Sequence, residues 1–188
     1  MADNYRIFGV EMSPYSIKTR AFFRFKNIPH EWIHRSNSVM EEFKKYAKLP
    51  LVPAVATPEG EGLQDSTIIM EEMDRRFSAP ASNPEDEALA FLSALLEEYG
   101  DEWGNKWMFH YRWSRDRDIW ATAERLARTG LPEGSLEHEY GSARQAIADR
   151  MVNRVGFVGS SKQTAPIIEA SFREMLELLE IHLQNRPF

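Results

Sequence analysis

Tyr5-Arg-Ile-Phe-Gly-Val-Glu-Met-Ser-Pro-Tyr-Ser-Ile-Lys-Thr-Arg-Ala-Phe-Phe-Arg-Phe25 changes character halfway along. Tyr5 to Val10 is a short apolar-rich run. It stops at Met12-Ser13-Pro14, after which Ile17, Ala21, Phe22 and Phe25 recur at helical spacing. The reading is strand, turn, helix, with Ser13 as N-cap and Pro14 at the first helical position, where a missing N–H costs nothing. Ile28-Pro29 closes that helix. His30 to His34 then reads as a second strand, and Val39 to Lys48 as a short helix supported by a Glu41–Lys45 pair. A βαβα opening implies two parallel strands joined by a right-handed crossover. Ala54 to Thr57 and Glu61 to Gln64 flank Pro58-Glu59-Gly60 as an antiparallel hairpin. A helix from Ser66 places Ile68, Ile69, Met73 and Phe77 inward, with Glu71–Arg75 and Glu72–Arg76 pairs outward.

That order of elements is thioredoxin-like and spans residues 1–77. Residues 78–83, Ser-Ala-Pro-Ala-Ser-Asn, have no periodicity and read as a linker. Residues 84–188 read as an all-helical domain, with Asn83 as cap, Pro84 at the first helical position, and breaks near Thr129–Ser135 and Gly156–Gln163. The last helix, Pro166 to Gln184, aligns Ile168, Phe172, Met175, Leu176, Leu179 and Leu183 on one stripe. The sequence stops four residues later, which leaves little to cover that stripe and suggests a truncated chain.

A chain of 188 residues can bury a core without staples. It has no cysteine, so disulfides, thiolate-ligated metals and a catalytic thiol of its own are all excluded. A net charge of −6 without a basic block argues against a nucleic-acid partner. The N-terminus has no secretory pattern, and no apolar run reaches the roughly 18 residues a membrane span needs. The expectation is a soluble, cytoplasmic protein with no membrane partner.

Ser13-Pro14-Tyr15-Ser16 is the pattern of a thiol–disulfide active site with oxygen where each sulfur would be. At a helix N-terminus the Ser13 hydroxyl and the first free N–H groups converge, and together they favour an anion such as a thiolate brought by a ligand. Ser-Pro at a helix start also serves as an ordinary cap. Leu51-Val52-Pro53-Ala54 sets a proline just before a strand. If that bond is cis, the Val52 N–H and C=O face outward and can pair with a peptide ligand; a trans proline opening a strand is the other reading. Gln64-Asp65-Ser66-Thr67 supplies a second helix N-terminus, suited to an α-amino group at Asp65 and a carboxylate at Ser66 and the helix amides.

In this combination the chain resembles the glutathione transferase family, on Ser-Pro-Tyr-Ser-Ile-Lys-Thr-Arg-Ala-Phe-Phe, Lys-Asn-Ile-Pro-His-Glu, Val-Pro-Ala-Val and Asp-Ser-Thr-Ile-Ile. The serine classes, such as tau, theta and zeta, are nearer than the cysteine classes. The resemblance implies the glutathione transferase fold, an α/β thioredoxin-like N-terminal domain plus an all-α C-terminal domain. It further implies glutathione as co-substrate, an apolar electrophile as second substrate and a homodimer. Carried over, Ser13 activates the thiol, Tyr15 and Ser16 join the binding set, and Val52 anchors the cysteinyl unit before a cis Pro53. Asp65 and Ser66 hold the γ-glutamyl group. A non-catalytic binder and a glutathione-dependent isomerase or dehalogenase are alternative members. The chain departs from the family at Tyr46-Ala47, where Asn-Pro is common, and it lacks the Gly-x-x-x-Ser-x-Ala-Asp run of the later helical segment.

In the second half Trp103, Trp107, His110 and Tyr111 fall on one helical face, either as walls of the apolar substrate pocket or as core. No metal site is expected. His30 and His34 stand about 13 Å apart on a strand, too far for one ion. Glu97, Glu98, Asp101 and Glu102 read as a solvated face.

Overall fold

The computed structural model describes residues 4–185. The chain divides into two compact units, Met1–Leu96 with Thr129–Gly134, and Glu97–Arg128 with Ser135–Phe188. In the first, β1 (Tyr5–Gly9), α1 (Pro14–Phe25), β2 (His30–His34), α2 (Met40–Tyr46), β3 (Ala54–Ala56), β4 (Gly62–Gln64) and α3 (Ser66–Arg76) follow in order. The four strands form one sheet in the order β2-β1-β3-β4, with β1 parallel to β2 and antiparallel to β3, and β3 antiparallel to β4. This is the thioredoxin-like arrangement expected from the sequence.

β1 is central, and a central strand is covered on both faces, so its sequence runs apolar rather than alternating. Ile7 and Phe8 are fully buried on opposite faces: Ile7 with Phe22, Phe23, Ile69 and Met73, and Phe8 with Phe43 and Ala54. Gly9 is required because a Cβ there would lie 2.4 Å from the Trp32 ring and 3.0 Å from Ser16 Cβ. Asn27, at φ 54°, ends α1 in the left-handed turn that usually takes glycine, and Ile28 N–H returns to Phe23 C=O at 2.9 Å.

Three local readings are corrected. The inward face of α1 is Ser16, Thr19, Phe22, Phe23 and Lys26, while Ala21 is exposed and Phe25 38% exposed. Apolar spacing alone selects the wrong stripe because two hydroxyl residues and a lysine line the buried one. On α3, Ile69 and Met73 are buried but Ile68 is 55% exposed. One carboxylate, Glu72, takes both Arg75 and Arg76, whose hydrogen bonds hold it down at a pKa of about 2.

Lys26 is the least expected member of this core. Its Nζ pairs with Asp74 and donates to the carbonyls of Phe77 at 3.0 Å and Pro80 at 2.7 Å. Ser82 also donates to Asp74. Residues 77–82 are thereby tied to α1 and α3. The next helix, α4 (Glu87–Tyr99), is capped by Asp86, which accepts Leu89 N–H at 3.0 Å, rather than by Asn83. Asn83 instead donates to Asp74.

The second unit is helical: α5 (Asn105–Trp113), α6 (Asp116–Gly130), α7 (Glu137–Val152) and α8 (Ala165–Leu183). Its core centres on Trp113, Ala123 and Ala148, with Phe109, Ile119, Leu126, Ile147 and Met151 packed around them. The apolar stripe of α8 is not core throughout, since Leu176, Leu179 and Leu183 are 48%, 37% and 45% exposed. Among the described residues no helix is long and apolar enough to cross a membrane.

Replacing Lys26 by Met keeps the buried stem and removes the charge, leaving Asp74 without its cation and the Phe77 and Pro80 carbonyls without this donor. The expected loss of unfolding free energy is about 2–3 kcal/mol by urea denaturation, and a loss under about 0.5 kcal/mol would show that the lysine does not staple the segment.

Candidate functional site

The chain leaves β1 through Val10-Glu11-Met12, and Ser13 N–H returns to Val10 C=O at 3.0 Å. Ser13 has the extended backbone of a helix cap, φ −94° and ψ 117°. Its Oγ accepts the Ser16 N–H at 3.2 Å, and its carbonyl accepts the Ile17 N–H at 3.1 Å. The hydroxyl hydrogen takes no part in that capping bond. The first turn of α1 holds no acidic side chain. The nearby Glu11 is claimed by Arg20 through bonds of 2.7 and 3.1 Å, which hold its carboxyl below the usual range. Arg20 lies in turn over the Trp32 ring at 4.3 Å. The positive end of α1 therefore remains available to an anion.

Tyr15 is half-buried beside this cap. Ser16 is not at the surface: it is fully buried, and its Oγ has no hydrogen-bond partner among the described residues. It packs beneath Gly9 and Trp32, a place set by the close approach of α1 to β1.

Pro53 is buried and Val52 half-buried, and the peptide bond between them is cis. Asp65 is exposed at φ 80° and ψ 128°, a left-handed conformation rare for a residue with a side chain. Its carboxylate caps α3 by accepting the Thr67 N–H at 3.0 Å. Ser66 follows, buried at the start of the helix.

Strand register brings these three segments together. Phe8 pairs with Ala54, and Ala54 with Gln64. At one end of this row β1 runs out towards Ser13, β3 begins just after Pro53, and β4 runs out into Asp65. Adjacent strands are about 4.8 Å apart, so the two helix N-termini and the Val52 backbone share one sheet edge. Gln64 is the residue that the sequence reading passed over. Its side chain bonds to the loop before Pro53, a contact 13 and 15 residues away in the chain that no local pattern signals.

In the helical unit, a cavity of about 410 Å³ is lined by Trp107, Met108, Tyr111, Arg112, Thr122 and Phe172 with Gly104 and Asp118. Trp107 donates its indole N–H to Ser171 Oγ at 2.9 Å, and Phe172 lies 5.7 Å from its ring and 5.2 Å from that of Tyr111. Burial, with Arg125 nearby, lowers the pKa of Arg112. Two residues expected in this wall lie elsewhere. Trp103 is 57% exposed under the Lys106 ammonium. His110 is buried, with Nδ1 2.7 Å from Ser160 Oγ and Nε2 3.5 Å from Glu169. Helical spacing does not separate a cavity-lining side chain from an exposed one such as Trp103 or a core one such as His110.

His30 Nδ1–H donates to the Ile28 carbonyl at 2.7 Å, and its ring meets Phe23 edge-on. Among the described residues no group of three or more His, Asp or Glu side chains is placed to hold a metal ion.

Residues 12–76 match the family model for the glutathione S-transferase N-terminal domain. Over that segment the chain matches the glutathione S-transferase family. The match begins at the turn before Ser13 and ends with α3, so it contains all three segments of the sheet edge. Among solved structures, a glutathione transferase Omega 3C from Trametes versicolor is 15% identical with a TM-score of 0.53, over 84% of this chain and 89% of that one. A glutathione S-transferase from Methylobacterium radiotolerans, in complex with glutathione sulfonate, is 16% identical with a TM-score of 0.50, over 81% and 90%. Glutaredoxin 2 from Salmonella typhimurium, in complex with glutathione, is 16% identical with a TM-score of 0.51, over 93% and 69%. At these identities the likeness concerns the fold, which is that of the glutathione S-transferases. No curated protein matches the chain.

The backbone of Asp65 makes a prediction that needs no ligand. Asp65→Ala and Asp65→Gly both lose the cap, but only glycine relieves the positive φ. The glycine variant should exceed the alanine variant by about 1–2 kcal/mol in chemical denaturation. Equal stabilities would mean that residue 65 is not held in the left-handed region.

Proposed function

We propose that the chain binds glutathione at the sheet edge and conjugates its thiolate to an apolar electrophile. The observation that supports the reading is the row Phe8–Ala54–Gln64, which sets the Ser13 cap, the Val52 backbone and the start of α3 at Asp65 and Ser66 at one end of the sheet. Asp65 pairs with the α-ammonium of the γ-glutamyl unit, and Ser66 with the first N–H groups of α3 holds its α-carboxylate. The Val52 N–H and C=O pair with the cysteinyl backbone as a neighbouring strand would. The thiol then meets the Ser13 hydroxyl, which donates to the sulfur, and the positive end of the α1 dipole, which stabilises the thiolate. Tyr15 flanks that sulfur. The thiolate attacks the electrophilic carbon, the leaving group departs with its electron pair, and a thioether forms.

The absence of cysteine makes this the favoured chemistry within the fold. A mixed disulfide between protein and glutathione has no sulfur on the protein side, so thiol exchange of the glutaredoxin type has no nucleophile here. The aromatic cavity at Trp107 and Tyr111 suits an apolar co-substrate. Exposed Leu89, Phe91, Leu92, Leu95 and Leu96 on α4 supply apolar surface for the homodimer that the family resemblance implies. A site that activates reduced glutathione belongs in the cytosol, where that pool is kept reduced.

Ser13→Ala tests the assignment. Glutathione affinity should stay within about threefold while the thiolate absorbance of the complex is lost and turnover of an electrophile falls about 10²-fold or more. Ser13→Asp keeps a capping acceptor but puts an anion at the sulfur position, so it should be as inactive while remaining well capped. Unchanged turnover in Ser13→Ala would remove Ser13 from the mechanism. Glutathione binding by the wild-type chain with no conjugation across an electrophile panel would favour a non-catalytic binder.

A further inference from the structure

Between Ala47, whose N–H bonds to Phe43 C=O, and Ala54, which enters the β3 ladder, the backbone has little to hold it. Val52 packs half-buried against the Phe8 and Phe43 cluster, but residues 48–51 are exposed, Leu49 and Leu51 at 57% and 61%, so that part of the segment is not fixed by burying its side chains. Among the described residues, the hydrogen bonds to the backbone of residues 48–52 come from one side chain. Gln64 Nε2 donates to Leu49 C=O at 2.9 Å and to Leu51 C=O at 2.8 Å, and Gln64 Oε1 accepts the Leu49 N–H at 2.9 Å. Both amide hydrogens and the carbonyl oxygen are thus used on one loop, an arrangement that only Asn or Gln can make.

The backbone of the same residue pairs with Ala54 on the far side of Pro53. Gln64 therefore grips Val52-Pro53 from both sides, by its side chain at Leu49 and Leu51 and by its main chain at Ala54. The next residue is Asp65, whose left-handed backbone starts the clamp. β4 is itself seated firmly: a Cβ on Gly62 would lie 2.2 Å from Tyr46 C=O, so the strand abuts the end of α2.

Resting on the glutathione reading, we propose that Gln64 is the positioning residue that sets the distance between the Val52 backbone anchor and the Asp65–Ser66 clamp. It touches no ligand. It joins the two groups that must engage adjacent units of one peptide, so that the loop is ordered before binding rather than by it. A ligand that must itself order a free loop loses affinity by the entropy of that ordering.

The test compares the full-length wild type with Gln64→Ala and with Gln64→Glu, which keeps length and the acceptor but loses both donors. Three quantities are read: Leu49 amide exchange without ligand, glutathione affinity by calorimetry, and thiolate absorbance at saturation. Leu49 exchange should quicken in Gln64→Ala. Glutathione binding should weaken about tenfold in both variants, as expected for losing roughly one residue's worth of loop order. Thiolate absorbance at saturation should be unchanged, because Ser13 stands on α1. Affinity equal to wild type in either variant would overturn the proposal, as would global unfolding of both, which would make Gln64 a structural residue only. Failure of the wild type to bind glutathione is a different result: it removes the glutathione reading itself, and this role of Gln64 with it.

Discussion

The pairing of Phe8 with Ala54 and of Ala54 with Gln64 is the constraint on which the rest depends. It decides which ends of β1, β3 and β4 lie side by side, and so which loops meet. A slip of one residue would turn every side chain of the moved strand to the other face and shift the loop that follows. Register here is well specified. Ile7, Phe8, Ala54, Val55 and Ala56 are all buried, so a shifted strand would expose apolar groups or bury polar ones. Gly9 and Gly62 tighten the same arrangement, one against Trp32 and the other against Tyr46.

On this frame the proposed chemistry rests on oxygen and backbone groups. Ser13 is used twice, as a lone pair for the Ser16 N–H and as a hydroxyl whose hydrogen stands outside the capping bond. Glu11, the carboxylate that would compete for the positive end of α1, is instead bound by Arg20. Asp65 carries two burdens in the same way, capping α3 while adopting a backbone conformation that disfavours any residue with a Cβ. Strain of that kind persists where the surroundings over-determine it, and the β4 ladder on one side with the α3 cap on the other do so here.

Much of this was legible in the sequence because its signals are local. Ser-Pro at a helix start, proline ahead of a short strand, and Asp-Ser ahead of an apolar-periodic run each report on the backbone within four residues of themselves. What was not legible depends on partners distant in the chain or on polar groups inside. Periodicity counts apolar residues, so Ser16 and Thr19 did not register as core although both are fully buried. Lysine reads as solvent-facing until its ammonium is given Asp74 and two carbonyls. The sequence reading gave Gln64 no role of its own beside Asp65, and its reach to Leu49 exists only once the hairpin has formed. In the helical unit, spacing placed Trp107, His110 and Tyr111 on one side of α5. Only packing distinguishes Trp107 and Tyr111, which line a cavity, from His110, which is turned to Ser160 in the interior.

The central claim is that one sheet edge gathers the ligand contacts. The direct measurement is an amide-resolved NMR titration of the full chain with glutathione. The account expects saturable shifts at Ser13 to Ser16, Leu51, Val52, Ala54 and Gln64 to Thr67, with the opposite end of the sheet, at Tyr5, His30 and Gly62, unaffected. Shifts absent from that edge, or concentrated at residues of α6 and α7, would contradict it.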